Sequence, residues 1–446
     1  MAKENGLITV KLRASVFTLG CRLNQADSAL IAAGLADNGY EIVPWGEPAD
    51  VLVVNSCTVT AAAGRKTRQT AHAARRRCPD SFLVVVGCDA NLDERWAADS
   101  AVDLVLKGDE KSSVASHLAQ RLRHEDGPPL VFMGQETRER AFTEHGVGLF
   151  LERTRANVKI QEGCNFFCSY CIVPFARGAP RSRDWDDILR EVTELTRRGH
   201  KEIVLTGVNI ATYDHGGRDL ADLVERMLLI TDSFRVRLSS TEPGDVLKRI
   251  VDIMATEPRL CRFLHLPMQY GEDSILKEMN RRYTVADFAE RTRYAAERVP
   301  GLCIGTDIIV GFPGETEETF QRCCATVKEL PLSHLHVFTY SPRKGTPAAR
   351  MGGRVLGDVA SRRANELMKI GADKKSVFLD AQMGDTVKVL CEEKNSEGFW
   401  EGWSDNYLRV VIQEEAGTPL AQNKLVDVRL LSHENGLASG IPLRAP

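Results

Sequence analysis

The sequence predicts an α/β protein in three parts. These are an N-terminal parallel α/β domain over residues 8–125, a central partial (βα)6 barrel over 150–380, and a small antiparallel β-barrel over 381–446. Three observations carry this. Apolar strand runs alternate with helical patterns through the first region. The alternation resumes near Ala156 and repeats six times, which argues for a second parallel sheet. Beyond about Asp380 it gives way to short alternating runs set off by Gly, Asn and Asp turns.

In the first region Ala14–Leu19, Val51–Val54 and Phe82–Val86 read as strands, with helices over Gln25–Asn38 and Thr60–Arg77. Cys21, Cys57 and Cys88 each fall one to three residues past the carboxyl end of one of these strands. Open parallel sheets bind ligands at that edge, so three Cys far apart in sequence can meet there. The alternative is three small buried residues at strand ends. Glu125–Gly148, with Pro128 and Pro129, reads as a linker. The barrel strands are expected at Val158–Gln161, Glu202–Thr206, Arg235–Ser239, Phe263–Leu266, Ile304–Val310 and His334–Thr339, with helices such as Trp185–Arg198 and Thr316–Leu330 between them. Such a barrel carries its chemistry on the loops at the strand C-termini. The tail strands are Thr386–Leu390, Phe399–Trp403, Tyr407–Val411 and Lys424–Leu431.

A chain of 446 residues with 43% hydrophobic content has room for two or three cores. Met1–Val10 holds no apolar signal region and no stretch is long enough to span a membrane, so a cytoplasmic location is expected. The net charge of −3 leaves any polyanion partner to local basic patches. Twelve Cys in a reducing compartment point to metal or catalysis rather than disulfides.

The densest chemistry lies in Val158–Arg183, where Cys164, Cys168 and Cys171 form a C-x-x-x-C-x-x-C run. Three thiolates this close suit one [4Fe–4S] cluster and leave its fourth iron open. Zinc or three packed thiols are the competing readings, but zinc ordinarily takes four Cys or His ligands with no fourth nearby, and core Cys rarely crowd three into eight positions. Cys78, Cys261, Cys303, Cys323, Cys324 and Cys391 fit no ligand pattern; Cys78 reads as a structural or exposed thiol and the others as core or neutral.

The spacing of Cys164, Cys168 and Cys171 resembles the signature of the radical S-adenosylmethionine (SAM) superfamily. TLGCRLNQADS at Thr18–Ser28, NSCTVT at Asn55–Thr60 and VVGCDAN at Val85–Asn91 resemble the three Cys motifs of the methylthiotransferase family. The resemblance covers nearly the whole chain. It implies a Rossmann-like first domain holding an auxiliary [4Fe–4S] cluster on Cys21, Cys57 and Cys88. It implies a radical SAM core of TIM-barrel type, with a catalytic [4Fe–4S] cluster on Cys164, Cys168 and Cys171. The tail resembles the TRAM domain, an OB-like RNA-binding module. SAM itself is expected beside Tyr170, Gly207, Asn209, Ser240, Glu242 and Ile309, on the loops after successive strands. Where the family usually has Gln-Ser-Gly, this chain has Gln269, Tyr270 and Gly271, a change expected to affect substrate fit.

The family implies replacement of an unactivated C–H by C–S–CH₃, which no acid or base achieves at neutral pH. A radical from reductive SAM cleavage, with sulfur from the auxiliary cluster and methyl from a second SAM, is the implied route. An external one-electron donor such as a flavodoxin is implied too. The opening Thr-Leu-Gly-Cys, the Asn-Gln after it and Cys-Thr-Val-Thr at Cys57–Thr60 resemble most the branch acting on threonylcarbamoyladenosine 37 of tRNA. The alternatives are isopentenyladenosine 37, a ribosomal-protein aspartate, or an RNA-binding Fe–S protein without transferase activity. A tRNA partner gives meaning to the acid-free run Arg65, Lys66, Arg68, Arg75, Arg76 and Arg77, whose other reading is a solvated helix face. Arg177, Arg181 and Arg183, and a second group of Arg343, Lys344, Arg350, Arg354, Arg362 and Arg363, are further phosphate candidates. Arg177, Arg181 and Arg343 are also candidate partners of a substrate carboxylate. Trp400, Trp403 and Tyr407 are candidate base-stacking residues, with core packing as the alternative.

Overall fold

Val51–Ser56 is buried at all six positions, as a central strand with helices on both faces must be. It sits inside a six-stranded sheet in a computed structural model describing residues 11–120, 129–134, 142, 146–150, 154–413 and 420–443. The chain divides into two units, Met1–Leu149 with Phe175–Arg177, and Phe150–Pro174 with Gly178–Pro446.

The sheet of the first unit has the spatial order Glu41–Ile42, Arg13–Thr18, Val51–Ser56, Phe82–Gly87, Leu104–Lys107 and Leu130–Met133, and every pairing is parallel. The three expected strands are its core. The other three are short and lie outside them, and the last extends the sheet beyond residue 125 to Met133. The helix Arg22–Asp37 starts directly after Cys21, and Ala61–Arg77 is capped by Thr60, whose hydroxyl accepts from the Ala63 N–H. Cys88 opens the short helix Cys88–Leu92. All three Cys therefore stand where a strand hands over to a helix. The expected linker lies largely outside the described residues.

The second unit holds six parallel strands in two sets of three. Arg155–Lys159, Glu202–Thr206 and Arg235–Leu238 pair in sequence order, as do Phe263–His265, Cys303–Val310 and His334–Thr339. Isolated parallel bridges Val236↔Leu260 and Ser240↔His265 join the sets. This is the open, partial barrel that the βα repeats predict. The tail is a closed barrel of five strands. The fifth, Leu437–Pro442, is the one its alternation did not reveal; it pairs with both Arg409–Ile412 and Leu425–Glu434. Among the described residues no helix is long and apolar enough to cross a membrane.

Two buried arginines fix the tail barrel within this unit. Arg235 donates to the carbonyls of Lys388 and Trp403, and Arg237 to those of Ser404 and Asp405. Both pair with the fully buried Glu202. Burial alone would raise its pKa, but Arg237 and Arg235 hold the carboxyl far below the usual range. Trp403 and Tyr407 stack at 4.6 Å between ring centroids, and Tyr407 stacks on Phe263 at 4.1 Å. These two aromatics are packing groups of their own chain, which corrects the base-stacking expectation for them. Trp400 packs against the barrel core.

Candidate functional site

In the first unit, sheet geometry brings Cys21, Cys57 and Cys88 together: Cys57 feels the charges of both others, and Cys88 that of Cys21. Gly20 makes the approach possible, since a Cβ there would lie 2.7 Å from Cys57 Sγ and its φ is +99°. Burial pushes the Cys57 thiol up to about 11 and raises Cys88, and the nearby Arg177 guanidinium opposes both shifts. Arg177 Nε donates to Cys88 Sγ at 3.1 Å, and its Nη2 binds Asn24 Oδ1 and reaches Asp27 Oδ2 at 3.3 Å. Lys111 pairs with the same Asp27 oxygen at 3.0 Å. Three converging thiols under two cations suit a group that carries negative charge on sulfur, as a [4Fe–4S] cluster does.

Arg177 is thus buried and committed to these partners, which corrects its assignment to a substrate carboxylate. Arg75 is corrected likewise. It pairs with Asp103 and donates to the carbonyls of Pro79, Ala101 and Ser81, closing the end of its helix. Arg68 pairs with Asp93 and Asp99. Arg65, Lys66, Arg76 and Arg77 are exposed.

In the second unit, Cys164, Cys168 and Cys171 follow the first barrel strand on a loop fixed from several sides. Ser169 N–H donates to the Met279 carbonyl and Ser169 Oγ to that of Glu278, while Ser169 O accepts from Ala348 N–H. Gly163, at φ +73°, lies so close to Ala179 that a Cβ would sit 1.9 Å from its carbonyl oxygen. Cys171 feels the charges of Cys168 and Cys164, and burial pushes its thiol up to about 12. Arg281 Nη1 lies 3.2 Å from Cys168 Sγ, and its Nη2 pairs with Glu242. Burial raises the Glu242 carboxyl, against the pull of Arg281. Burial likewise raises the Tyr170 hydroxyl, which feels Arg281, Cys168 and Cys171. Arg281 was not singled out from the sequence; its only signal there is a basic pair before Tyr283.

The remaining expected SAM contacts stand on neighbouring strand ends. Gly207 packs against Gln161, whose Oε1 accepts from the Val208 and Asn209 N–H groups. Asn209 caps a short turn through Oδ1, while its buried Nδ2 has no hydrogen-bond partner. Ser240 Oγ and His265 Nδ1 are 2.8 Å apart. Ile309 N–H donates to the Gln269 carbonyl. An orphaned amide, a buried carboxylate and a nearby thiol triad on one rim suit a ligand rich in amino, carboxyl and hydroxyl groups.

Below this rim, His265, Asp307 and His336 place their ligand atoms within 4.8 Å of one another. His265 and Asp307 lie in the strand-end stretches HLPMQYG and TDIIVGFPGET, but nothing in the sequence marks them as neighbours of His336. Tyr270 is wholly buried among Cys323, Glu315, Thr319 and Arg363, facing the helix Glu317–Glu329. This corrects the expectation that it shapes substrate fit. Arg363 is buried on Glu315 and Glu317 and so is no free phosphate contact, whereas Arg362 is exposed and pairs with Glu317 at the surface. Arg181 and Arg343 are half-buried, and Arg181 donates to the Ala179 carbonyl. Cys261, Cys303, Cys323, Cys324 and Cys391 are buried in the core.

Residues 158–327 match the model of the radical SAM superfamily, and residues 13–107 match "Uncharacterized protein family UPF0004". The chain is 35% identical to the threonylcarbamoyladenosine tRNA methylthiotransferase MtaB of Bacillus subtilis, over 93% of this chain and 92% of that one. It is 35% identical to the protein of the same name from Thermotoga maritima, over 94% of each. It is 30% identical to the tRNA-2-methylthio-N(6)-dimethylallyladenosine synthase of Thermodesulfovibrio yellowstonii, over 86% of this chain and 89% of that one. Among solved structures, the radical SAM methyltransferase TsrM of Kitasatospora setae superposes with a TM-score of 0.54 at 16% identity, covering 76% of this chain and 75% of that one. That likeness is one of fold.

Proposed function

The chain belongs to the radical SAM methylthiotransferase family, and we propose that it converts N6-threonylcarbamoyladenosine 37 of tRNA to its 2-methylthio derivative. The observation that supports the substrate is the likeness, along nearly the whole chain, to relatives named for it. The family brings SAM and one [4Fe–4S] cluster; a second cluster on Cys21, Cys57 and Cys88 is part of the proposal. When bound, these groups supply a carbon radical able to take hydrogen from an unactivated C–H, together with sulfur and methyl.

The chain's own residues do the rest. Cys164, Cys168 and Cys171 would hold the cluster that works with SAM. Burial raises the thiols of Cys57 and Cys171, and a cluster held there would need them as thiolates. Arg281 beside Cys168 and Arg177 beside Cys88 each set a fixed positive charge against a ligand sulfur. Glu242, Ser240, Asn209, Gly207, Tyr170 and Ile309 orient SAM on the strand-end rim. A flavodoxin-like donor supplies electrons, and the setting is the cytoplasm.

The test uses anaerobically reconstituted enzyme and two tRNAs differing only in the N6 group, with 2-methylthio product read by mass spectrometry. Turnover of the threonylcarbamoyl tRNA alone is expected. Equal or faster turnover of the isopentenyl tRNA would move the chain to that branch.

A further inference from the structure

We propose that Arg281 is a positioning residue that, with Glu242 as its counterweight, sets how readily the cluster on Cys164, Cys168 and Cys171 accepts an electron. The inference rests on the cluster reading above and names the residues that tune it.

Backbone and side chains together fix the guanidinium. Arg281 follows the helix Asp273–Glu278, and its N–H donates to the Leu276 carbonyl at 2.9 Å. Its Nε lies 3.2 Å and its Nη2 2.9 Å from the Tyr283 hydroxyl. That hydroxyl in turn donates to the Pro267 carbonyl at 2.6 Å. Nη2 also pairs with Glu242 Oε2. Nη1 lies 3.2 Å from Cys168 Sγ. One planar fork thus joins a ligand sulfur, a carboxylate and a phenol, and its rigidity holds the three in place. The same turn grips the thiol loop. The Met279 and Glu278 carbonyls accept from Ser169, and Asn280 Nδ2 donates to the Phe167 carbonyl at 3.0 Å.

Burial gives the pair its reach. The Arg281 side chain is 2% exposed and that of Glu242 17%, so solvent screens them little. An arginine keeps its proton in a protein. Reduction brings one electron from the external one-electron donor onto the cluster, adding one negative charge with no bond made or broken. A fixed cation at a ligand sulfur favours that state, because net charge and hydrogen bonds to sulfur set such potentials. Glu242 sits on the other terminal nitrogen of the same guanidinium and pulls the opposite way. Their opposition is visible at Cys164: burial raises that thiol, the Glu242 charge raises it further and the Arg281 charge lowers it. The cation touches the Cys168 sulfur, while the carboxylate is held through the cation. Removing Arg281 therefore has the larger effect, since it also leaves Glu242 unbalanced.

The experiment is an EPR-monitored redox titration of the anaerobically reconstituted enzyme without SAM, in mildly alkaline buffer, following the signal that Cys168→Ala lacks. Arg281→Gln is expected to make that cluster at least tenfold harder to reduce, about 59 mV for a one-electron couple. Arg281→Lys keeps the charge and is expected to recover part of the shift. Glu242→Gln is expected to move the potential the other way, by less. Iron content and circular dichroism check loading and folding. An unchanged potential in iron-loaded Arg281→Gln overturns the proposal. Shifts of the same sign in Arg281→Gln and Glu242→Gln overturn it too, in favour of a merely structural role. If Arg281→Gln takes up no iron, the Glu242→Gln potential decides: a rise supports the pair and no change overturns it. A wild-type enzyme in which no signal depends on Cys168 overturns the cluster assignment beneath the proposal.

Discussion

Gly163 shows how much one side chain can decide. Its φ is +73°, and the Ala179 carbonyl occupies the space of a Cβ. A left-handed non-glycine residue costs about 1–2 kcal/mol before any clash. Gly163→Ala is therefore expected to displace the loop that carries Cys164, halving bound iron while leaving the first unit's triad loaded. Cys57→Ala is expected to leave about four of about eight irons, counting one [4Fe–4S] cluster per triad, and to abolish methylthio product. Iron retained in full would remove Cys57 from the ligand set. The gathering of the two Cys triads was legible, one from its C-x-x-x-C-x-x-C spacing and the other from its strand-end positions. Arg281 was not, because an arginine in sequence carries no sign of whether it will meet a sulfur or water.

At the scale of elements, the helix Ala61–Arg77 divides its basic residues by face. Arg68 and Arg75 turn inward to Asp93, Asp99 and Asp103, whereas Arg65, Lys66, Arg76 and Arg77 stay exposed, the last with its guanidinium over the Trp45 ring. Only the exposed set is free to meet phosphate. Replacing Arg65, Lys66 and Arg76 with Ala is expected to flatten the slope of log affinity for tRNA against log salt by about two to three, at roughly 0.7–0.9 per contact. An unchanged slope assigns them to a solvated face.

The strand His334–Thr339 carries a pH signature. Burial, then the neighbouring His336 and Lys375, lower His334 from 6.5 to about 4. The unfolded chain binds this proton between pH 6.5 and 4 and the folded one does not, so stability falls as pH drops through that window. His334→Leu is expected to show a shallower loss of Tm between pH 6.5 and 4.5 than the parent.

Across the whole second unit, Glu202 is the tie between the partial barrel and the tail barrel, because both arginines it orients reach tail carbonyls. Glu202→Gln leaves two buried guanidinium groups short of charge, and breaking such a pair costs about 3–5 kcal/mol. A drop of that size in chemical denaturation is expected, and a change below 1 kcal/mol would make the tie incidental.

The βα alternation, the strand-end Cys and the tail's period-two pattern follow from residue periodicity and local turn chemistry, which a sequence carries explicitly. They sufficed for three layers of architecture and both thiol triads. The short outer strands, the fifth tail strand, the fate of Arg75, Arg177 and Arg363, the internal use of Trp403 and Tyr407, and the meeting of His265, Asp307 and His336 were settled only by tertiary structure. Each depends on which partner lies across a sheet or a packed face. Pairings between residues distant in the chain are fixed by register and burial, and local sequence has no period that records them.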